Sequence, residues 1–433
     1  MKRIYITGCL LVLLAGALPV FAESNALTLE ESIRLALTNN EQIQMAASGV
    51  TEAEWQVKKA KGEKSIKLDA THTTAKIGGQ YWSVYHIDDV PSDYFINSLT
   101  ATLPLYSGGR VENTLKQAQA GREISALALQ NTGQEIAFQT IGAYYYLLSC
   151  RHMEQVRQEA NEQLAGHLKQ VEAQYAVGNV NRADVLRAEV ELSDARQALV
   201  NAQNDTRKAV FALNKLMGVA IGQDTVIEDQ FTYEQNDYQL PEAVSYALAH
   251  HPEQLIEAEA MEQARLGVEL AKAGKRPDVS LDASYTTYDT KLDQFDTKQW
   301  MAGITAHLNV FDGQVTSAGV KAAEQKVEQA RHHAGEVART VELQVQSAFL
   351  DMKKAEQNMA TNQTAVAKAV EDFKLSQLRY GVSLATNLDV MDAQVALTTA
   401  KTNYIRSIYE YNVSKSALER AMGKPVNLPE KEK

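Results

Sequence analysis

From Arg110 to about Val177 the apolar positions step by threes and fours. Ile141, Tyr145 and Leu148 set the pattern, and Leu164, Leu168, Val171 and Tyr175 continue it. That spacing is the seam of a helix packed on other helices. No proline interrupts the stretch. At 1.5 Å per residue it predicts a helix roughly 100 Å long, which suits coiled coils, repeat arrays or tunnel walls. Gly121, Gly133, Gly142 and Gly166 weaken it locally, or let a neighbouring backbone come close. Upstream the period changes from helical to two. Lys67 to Thr74 alternates as a strand, and so does Ser280 to Thr287. A second strand follows each. In one, Leu99, Ala101, Leu103 and Leu105 oppose Ser98, Thr100 and Thr102; the other carries Trp300, Ala302, Ile304, Ala306, Leu308 and Val310 on one face.

The whole pattern occurs twice. Tyr106-Ser107-Gly108 returns as Phe311-Asp312-Gly313, Tyr175 as Tyr380, Asp184 as Asp389, and Met217-Gly218 as Met422-Gly423, each 205 positions on. A constant offset that includes turn residues points to internal duplication. The expected units are residues 1–22, a leader; 23–218, a first repeat of helix, strand pair, long helix and return helix; 219–239, a polar connector; 240–424, a second repeat; and 425–433, a disordered tail. Thr28 to Glu31 reads as a capping box opening a helix that runs to about Lys61. Its counterpart starts at Leu240-Pro241-Glu242. Return helices are expected from Arg182 to Met217 and from Leu388 to Met422, with Asn181 and Asn387 as N-caps and Gly218 and Gly423 as C-caps. The strand offset falls from 213 to 205 across the hairpins, so the first loop is eight residues longer. That loop holds Tyr81, Trp82, Tyr85, Tyr94 and Phe95, either an interfacial girdle or ordinary loop contacts.

Composition narrows the function. A net charge of −11 speaks against wrapping nucleic acid. Cys9 and Cys150 are the only cysteines. Lys2, Arg3, the apolar run to Leu18 and the small residues at Val20-Phe21-Ala22 read as an export signal cleaved after Ala22. Ile6-Thr7-Gly8-Cys9 is a poor lipoprotein box, because the apolar run follows the cysteine. Removing the leader takes the charge to −13 and leaves one thiol, hence no intrachain disulfide. No later stretch has the length of apolar residues a membrane helix needs. The adjacent pairs His250-His251 and His332-His333 point different ways on a helix and do not read as a metal site. No nucleophile–base arrangement, P-loop or zinc signature suggests an enzyme or a cofactor.

Four alternating strands leave two raw edges, and in a bilayer strands must close into a barrel. Two chains would supply eight strands, an interior filled by side chains; three would supply twelve, wide enough for a channel. Asp69, Thr71, Asp282 and Ser284 would then line water.

The duplicated order of helix, strand pair, long helix and return helix resembles the TolC-type outer-membrane efflux proteins. So do the helical tips, Gln174-Tyr175-Ala176-Val177-Gly178 through Asp184-Val185-Leu186 and Arg379-Tyr380-Gly381-Val382 through Leu388-Asp389-Val390-Met391-Asp392-Ala393. The resemblance covers essentially the whole chain after the leader. It implies a mainly α fold with a small β part, assembling as a homotrimer. A 12-stranded outer-membrane β-barrel would be continued by an α-helical barrel in the periplasm. It implies a passive exit duct of a tripartite efflux or type I secretion system, joined through a periplasmic adaptor protein to an inner-membrane pump. It places the periplasmic gate at Tyr175, Asp184, Tyr380, Asp389 and Asp392, and adaptor contacts at Val177, Gly178, Gly381 and Val382. The chain departs from the family pattern at Ser383, usually glycine, and at Ala385, where some members carry a gate arginine.

Blander readings stand beside these. Asp184, Asp389 and Asp392 begin helices, where carboxylates meet the positive end of the dipole. The two tyrosines also fit a packing seam. If Asp389 and Asp392 instead form stacked rings around a threefold axis, mutual repulsion should raise their titration above ordinary aspartate values and favour cation binding. A periplasmic adaptor would show one hairpin inside a split β-domain, and an exported coiled-coil protein would not need the strands.

Overall fold

The computed structural model describes residues 26–76, 93–233, 236–292 and 296–425. The expected leader, Tyr81, Trp82 and Tyr85, and all but the start of the tail lie outside these residues. The first half contains α1 (Leu29–Asn39), α2 (Glu41–Gly62), β1 (Lys67–Lys76), β2 (Asp93–Ser107), α3 (Arg110–Ala176) and α4 (Arg182–Met217). The second half repeats the order as α5 (Leu240–His250), α6 (Pro252–Ala273), β3 (Asp278–Asp289), β4 (Thr297–His307), α7 (Val315–Gly381) and α8 (Asn387–Ala421).

The helix expected from Thr28 to about Lys61 is two helices. It breaks at Asn40, whose backbone is extended and whose side chain caps α2 by accepting from Gln42 N at 2.9 Å. The Asn40 amide also donates to Leu216 O at 3.0 Å, tying the break to the end of α4. His251 makes the matching break between α5 and α6, accepting from Glu253 N at 3.3 Å, and Pro252 keeps it out of the helical region. Gly218 and Gly423 press against these two breaks. Both have positive φ (66° and 72°). A Cβ at Gly218 would lie 2.8 Å from Asn39 O, and one at Gly423 would lie 2.6 Å from His251 Cα. Only glycine fits there.

Both strand-to-helix turns carry the same bond. Ser107 Oγ accepts from Val111 N at 3.2 Å, and the Asp312 carboxylate accepts from Thr316 N at 2.8 Å. The helices that follow, α3 and α7, have 67 residues each. α3 runs unbroken through its four glycines. At Gly121 the neighbour is close: Gln117 and Gln263 exchange amide bonds across α3 and α6 at 3.0 and 3.2 Å, and a Cβ at Gly121 would sit 3.1 Å from Gln263 Nε2. At Gly142 and Gly166 an added Cβ would meet open space.

On either side of the two breaks the helices form a wall four wide, and α1 and α5 pack against it, on α3 and α7. Near the strands the order is α2, α3, α6, α7; away from them it is α4, α3, α8, α7. Tyr144, Leu147, Leu148 and Leu213 fill the core between α3 and α4, and Val341, Val345, Met352 and Tyr411 fill the one between α7 and α8. The polar connector is pinned to the first of these cores. Leu27 bridges Ile227, and Asn214 donates to the carbonyls of Ala220, Ile221 and Gln223.

The four strands form one antiparallel sheet in sequence order, with β2 pairing β3 across the two halves. Register sorts most side chains as the alternation predicts, but a bulge between Pro104 and Tyr106 sets Tyr106 rather than Leu105 opposite Val279, and Leu308 and Val310 lie beyond the end of β4. Leu68, Ala101, Ala283 and Ala302 form one row, and Ala70, Leu99, Tyr285 and Trp300 the next on the same face. The opposite face carries Asp69, Thr100, Ser284 and the single apolar Met301 in one row and Thr71, Ser98, Thr286 and Gln299 in another. β1 and β4 are the open edges. No helix among the described residues is long and apolar enough to cross a membrane.

Candidate functional site

The two tips, far from the sheet, are built by the same local rules. α3 ends with Gly178 N donating to Tyr175 O and Asn179 N donating to Gln174 O, both at 2.9 Å. α7 ends with Ser383 N on Tyr380 O at 3.0 Å and Leu384 N on Arg379 O at 2.7 Å. Each is a Schellman closure, which needs a left-handed residue. Gly178 supplies it at φ 78°, while the second tip places Ser383 there at φ 60°. Val177 and Val382 cap the two helices and stand out to solvent, 70% and 65% exposed. Gly381 is the last residue of α7 and is exposed.

Each return helix then opens on a capping box. Asn181 accepts from Asp184 N at 3.0 Å, while the Asp184 carboxylate accepts from Asn181 N at 3.3 Å. In the second tip the cap is Thr386, not Asn387 as the sequence suggests. Thr386 N and Oγ1 donate to the Asp389 carboxylate at 2.7 and 2.8 Å, and Thr386 Oγ1 accepts from Asp389 N at 3.2 Å. These bonds, with Arg379 nearby, hold the Asp389 carboxyl below its ordinary value. Within one chain the shift is therefore opposite to the raised titration expected of stacked rings. Asp392 is exposed one turn further along.

The two tip tyrosines are not equivalent. Tyr175 is 42% exposed, whereas Tyr380 is 6% exposed within the core that joins the hairpins. That core brings Val171, Val185 and Ala188 of the first half against Phe373, Val390 and Leu397 of the second. The Tyr380 hydroxyl is buried without a hydrogen-bond partner among the described residues, and burial, then Asp184, pushes its pKa up. A cavity of about 700 Å³ lies between the turns, lined by Asn179, Asn181, Asp184, Tyr380, Thr386 and Asn387.

One pair escaped the sequence reading. Asn387 is buried because its side chain turns inward. It accepts from His167 Nε2 at 2.6 Å and donates to Asp184 O at 3.1 Å, so a single amide links α3, α4 and α8. The available signal was a histidine within the apolar seam of Leu164, Leu168 and Val171.

A sheet with two open edges, continued by a helical wall ending in paired tips, is the protomer of a channel rather than a compact domain. The profile described as "Outer membrane efflux protein" matches residues 32–219 and 243–424. BepC of Brucella suis, an outer membrane efflux protein, is 25% identical over 333 residues, covering 74% of this chain and 70% of its own length. Outer membrane protein TolC of Escherichia coli is 23% identical over 331 residues, covering 72% and 65%. The CmeC outer membrane channel of Campylobacter jejuni superposes with a TM-score of 0.80 at 17% identity, covering 99% of this chain and 95% of that one. The chain belongs to the outer membrane efflux protein family. It is an outer-membrane efflux channel of the TolC type in a Gram-negative bacterium, and not an enzyme.

Proposed function

We propose that three copies of this chain close into one duct: a 12-stranded barrel through the outer membrane, continued by a helical tunnel into the periplasm. The observation that carries this is where the apolar surface remains. In the wall order α4, α3, α8, α7 the two edge helices expose apolar stripes. These are Leu186, Val190, Val200 and Phe211 on α4, and Leu343, Leu350, Leu375 and Leu378 on α7. Leu343 and Leu350 are one heptad apart, which suits knobs-into-holes packing against α4 of the next copy. β1 and β4 pair in the same way.

The outer face of the sheet fits a bilayer. Its apolar rows run from Tyr106 to Leu99 and give way to the polar row His72, Asn97, Thr287 and Lys298. Eight residues at about 3.3 Å each, tilted near 40°, span roughly 20 Å, somewhat under the apolar band of a transmembrane barrel. The opposite face, with Asp69, Thr71, Asp282 and Ser284, lines the water-filled lumen.

The duct conducts passively, taking small molecules or proteins from an inner-membrane pump through a periplasmic adaptor. Tyr175, Asp184, Asp389 and Asp392 form the constriction at the tips, with Tyr380 packed behind them. Val177, Gly178, Gly381 and Val382 meet the adaptor. The chain is exported on residues 1–22 and cleaved after Ala22. Gly178 is a poor position to probe docking, because its positive φ makes any side chain strained. The two exposed valines are better. Val177→Asp with Val382→Asp should abolish export in cells while the detergent-stable trimer survives. Unchanged export by that variant would refute tip docking.

A further inference from the structure

His167 has no part in the gate or the adaptor contact, yet it is 4% exposed at the point where the two hairpins of a protomer meet. Asn387 fixes its tautomer. The Asn387 amide nitrogen donates to Asp184 O, so its oxygen faces His167 and accepts the Nε2 proton. Nδ1 is then a bare lone pair, buried, with no hydrogen-bond partner among the described residues. The ring packs edge-on against Tyr380 at 5.0 Å, and Val171 and Phe373 belong to the same tip core.

We propose that neutral His167 is a pH-sensitive latch between the two hairpins of each protomer, and that its protonation releases the α3–α8 seam at the tip. Protonation must place a hydrogen on Nδ1, where no acceptor waits. It would leave an unpaired charge in an apolar core, which is relieved only by admitting water. The surrounding titratable groups offer little compensation. Tyr380 of α7 has an unpartnered hydroxyl, Asp184 of α4 is bonded to its own cap, and Asp389 of α8 is bonded to Thr386. Lys169 and Glu172 on α3 lie on its exposed side. No ion pair to the ring exists among the described residues.

Burial holds the imidazole below its ordinary value of 6.5, and the Asn387 bond opposes this only in part. A buried neutral histidine therefore closes the seam fully above the unperturbed value. The contribution is lost as pH falls below 6.5 towards the depressed value, by up to tenfold in the open-to-closed ratio per pH unit and protomer. His251, also buried, is held low in the same way, but it caps α6 far from the tips.

The test uses the full trimer in lipid nanodiscs. Nitroxide labels are placed at Glu172→Cys on α3 and Leu388→Cys on α8, with Cys150→Ser to remove the native thiol, and inter-label distances are read by pulsed electron paramagnetic resonance. The six labels of the trimer also give longer distances between protomers; the short distance within each protomer is expected to be one narrow component at pH 7.5, losing amplitude to a longer one as pH falls below 6.5. His167→Gln keeps a donor for Asn387 but cannot titrate, so it should hold the short distance throughout. Asn387→Asp sets a carboxylate beside the ring that compensates the new charge in the closed seam, so the acid-driven longer component should shrink or disappear. A wild-type distance that stays fixed down to pH 4 would overturn the proposal. So would a longer component equally present in His167→Gln.

Discussion

Asp389 and Asp392 sit three residues apart, one bound to its cap and the other turned to solvent. The sequence made both candidates for a cation-binding constriction and gave them a second reading as helix-start charges. Asp389 serves the second reading within one chain, because Thr386 bonds its carboxylate directly. A depressed carboxyl stays charged as pH falls, and loses its contribution only when pH passes below its lowered value. Block of the resting channel by multivalent cations should therefore persist into the acid range. Thr386→Ala should bring its loss to higher pH, and Asp389→Ala with Asp392→Ala should remove it. Single-channel recording in planar bilayers reads all three; undiminished block in the double variant would leave only the helix-start role. The misplaced cap has the same local origin. Asparagine is as good an N-cap as threonine by type, and only the buried His167 opposite explains why Asn387 turned inward and Thr386 took the cap.

Among elements, the long helices and strands were legible because their periods differ and because each appears twice. The break between α1 and α2 was not, since Asn40 is unremarkable in an otherwise helical run. It becomes intelligible beside Gly218, just as the break at His251 does beside Gly423. The same junction occurs twice, each time packing the end of a return helix onto a capped break. Gly218→Ala and Gly423→Ala should each destabilise the helical part by roughly 2 kcal/mol, through left-handed strain plus backbone overlap. Gly166→Ala should do the opposite. It lies in a helix interior with open space, where alanine gains about 1 kcal/mol over glycine. Thermal unfolding of detergent-solubilised protein followed by circular dichroism should show midpoints moving in opposite directions. A lowered midpoint for all three variants would mean that the open space around Gly166 is filled in the assembly.

At the scale of the whole molecule, one chain is incomplete by its own physics. β1 and β4 leave their outer backbone groups unpaired, and α4 and α7 turn apolar stripes to solvent at the two ends of the same wall. Ring closure by identical copies satisfies both layers at once, and a number of copies that suits the sheet must also suit the helices. In the proposed trimer, four strands and a wall four helices wide per chain would give twelve of each. Disrupting the α4 stripe, for example by Val190→Asp with Phe211→Asp, should therefore cost the assembly rather than the fold of the hairpin, read as a shift from trimer to monomer in detergent. The most direct measurement is native mass spectrometry of the purified protein released from detergent micelles. The account predicts a single species of three chains. A stable single chain that still forms conducting pores in a lipid bilayer would contradict it.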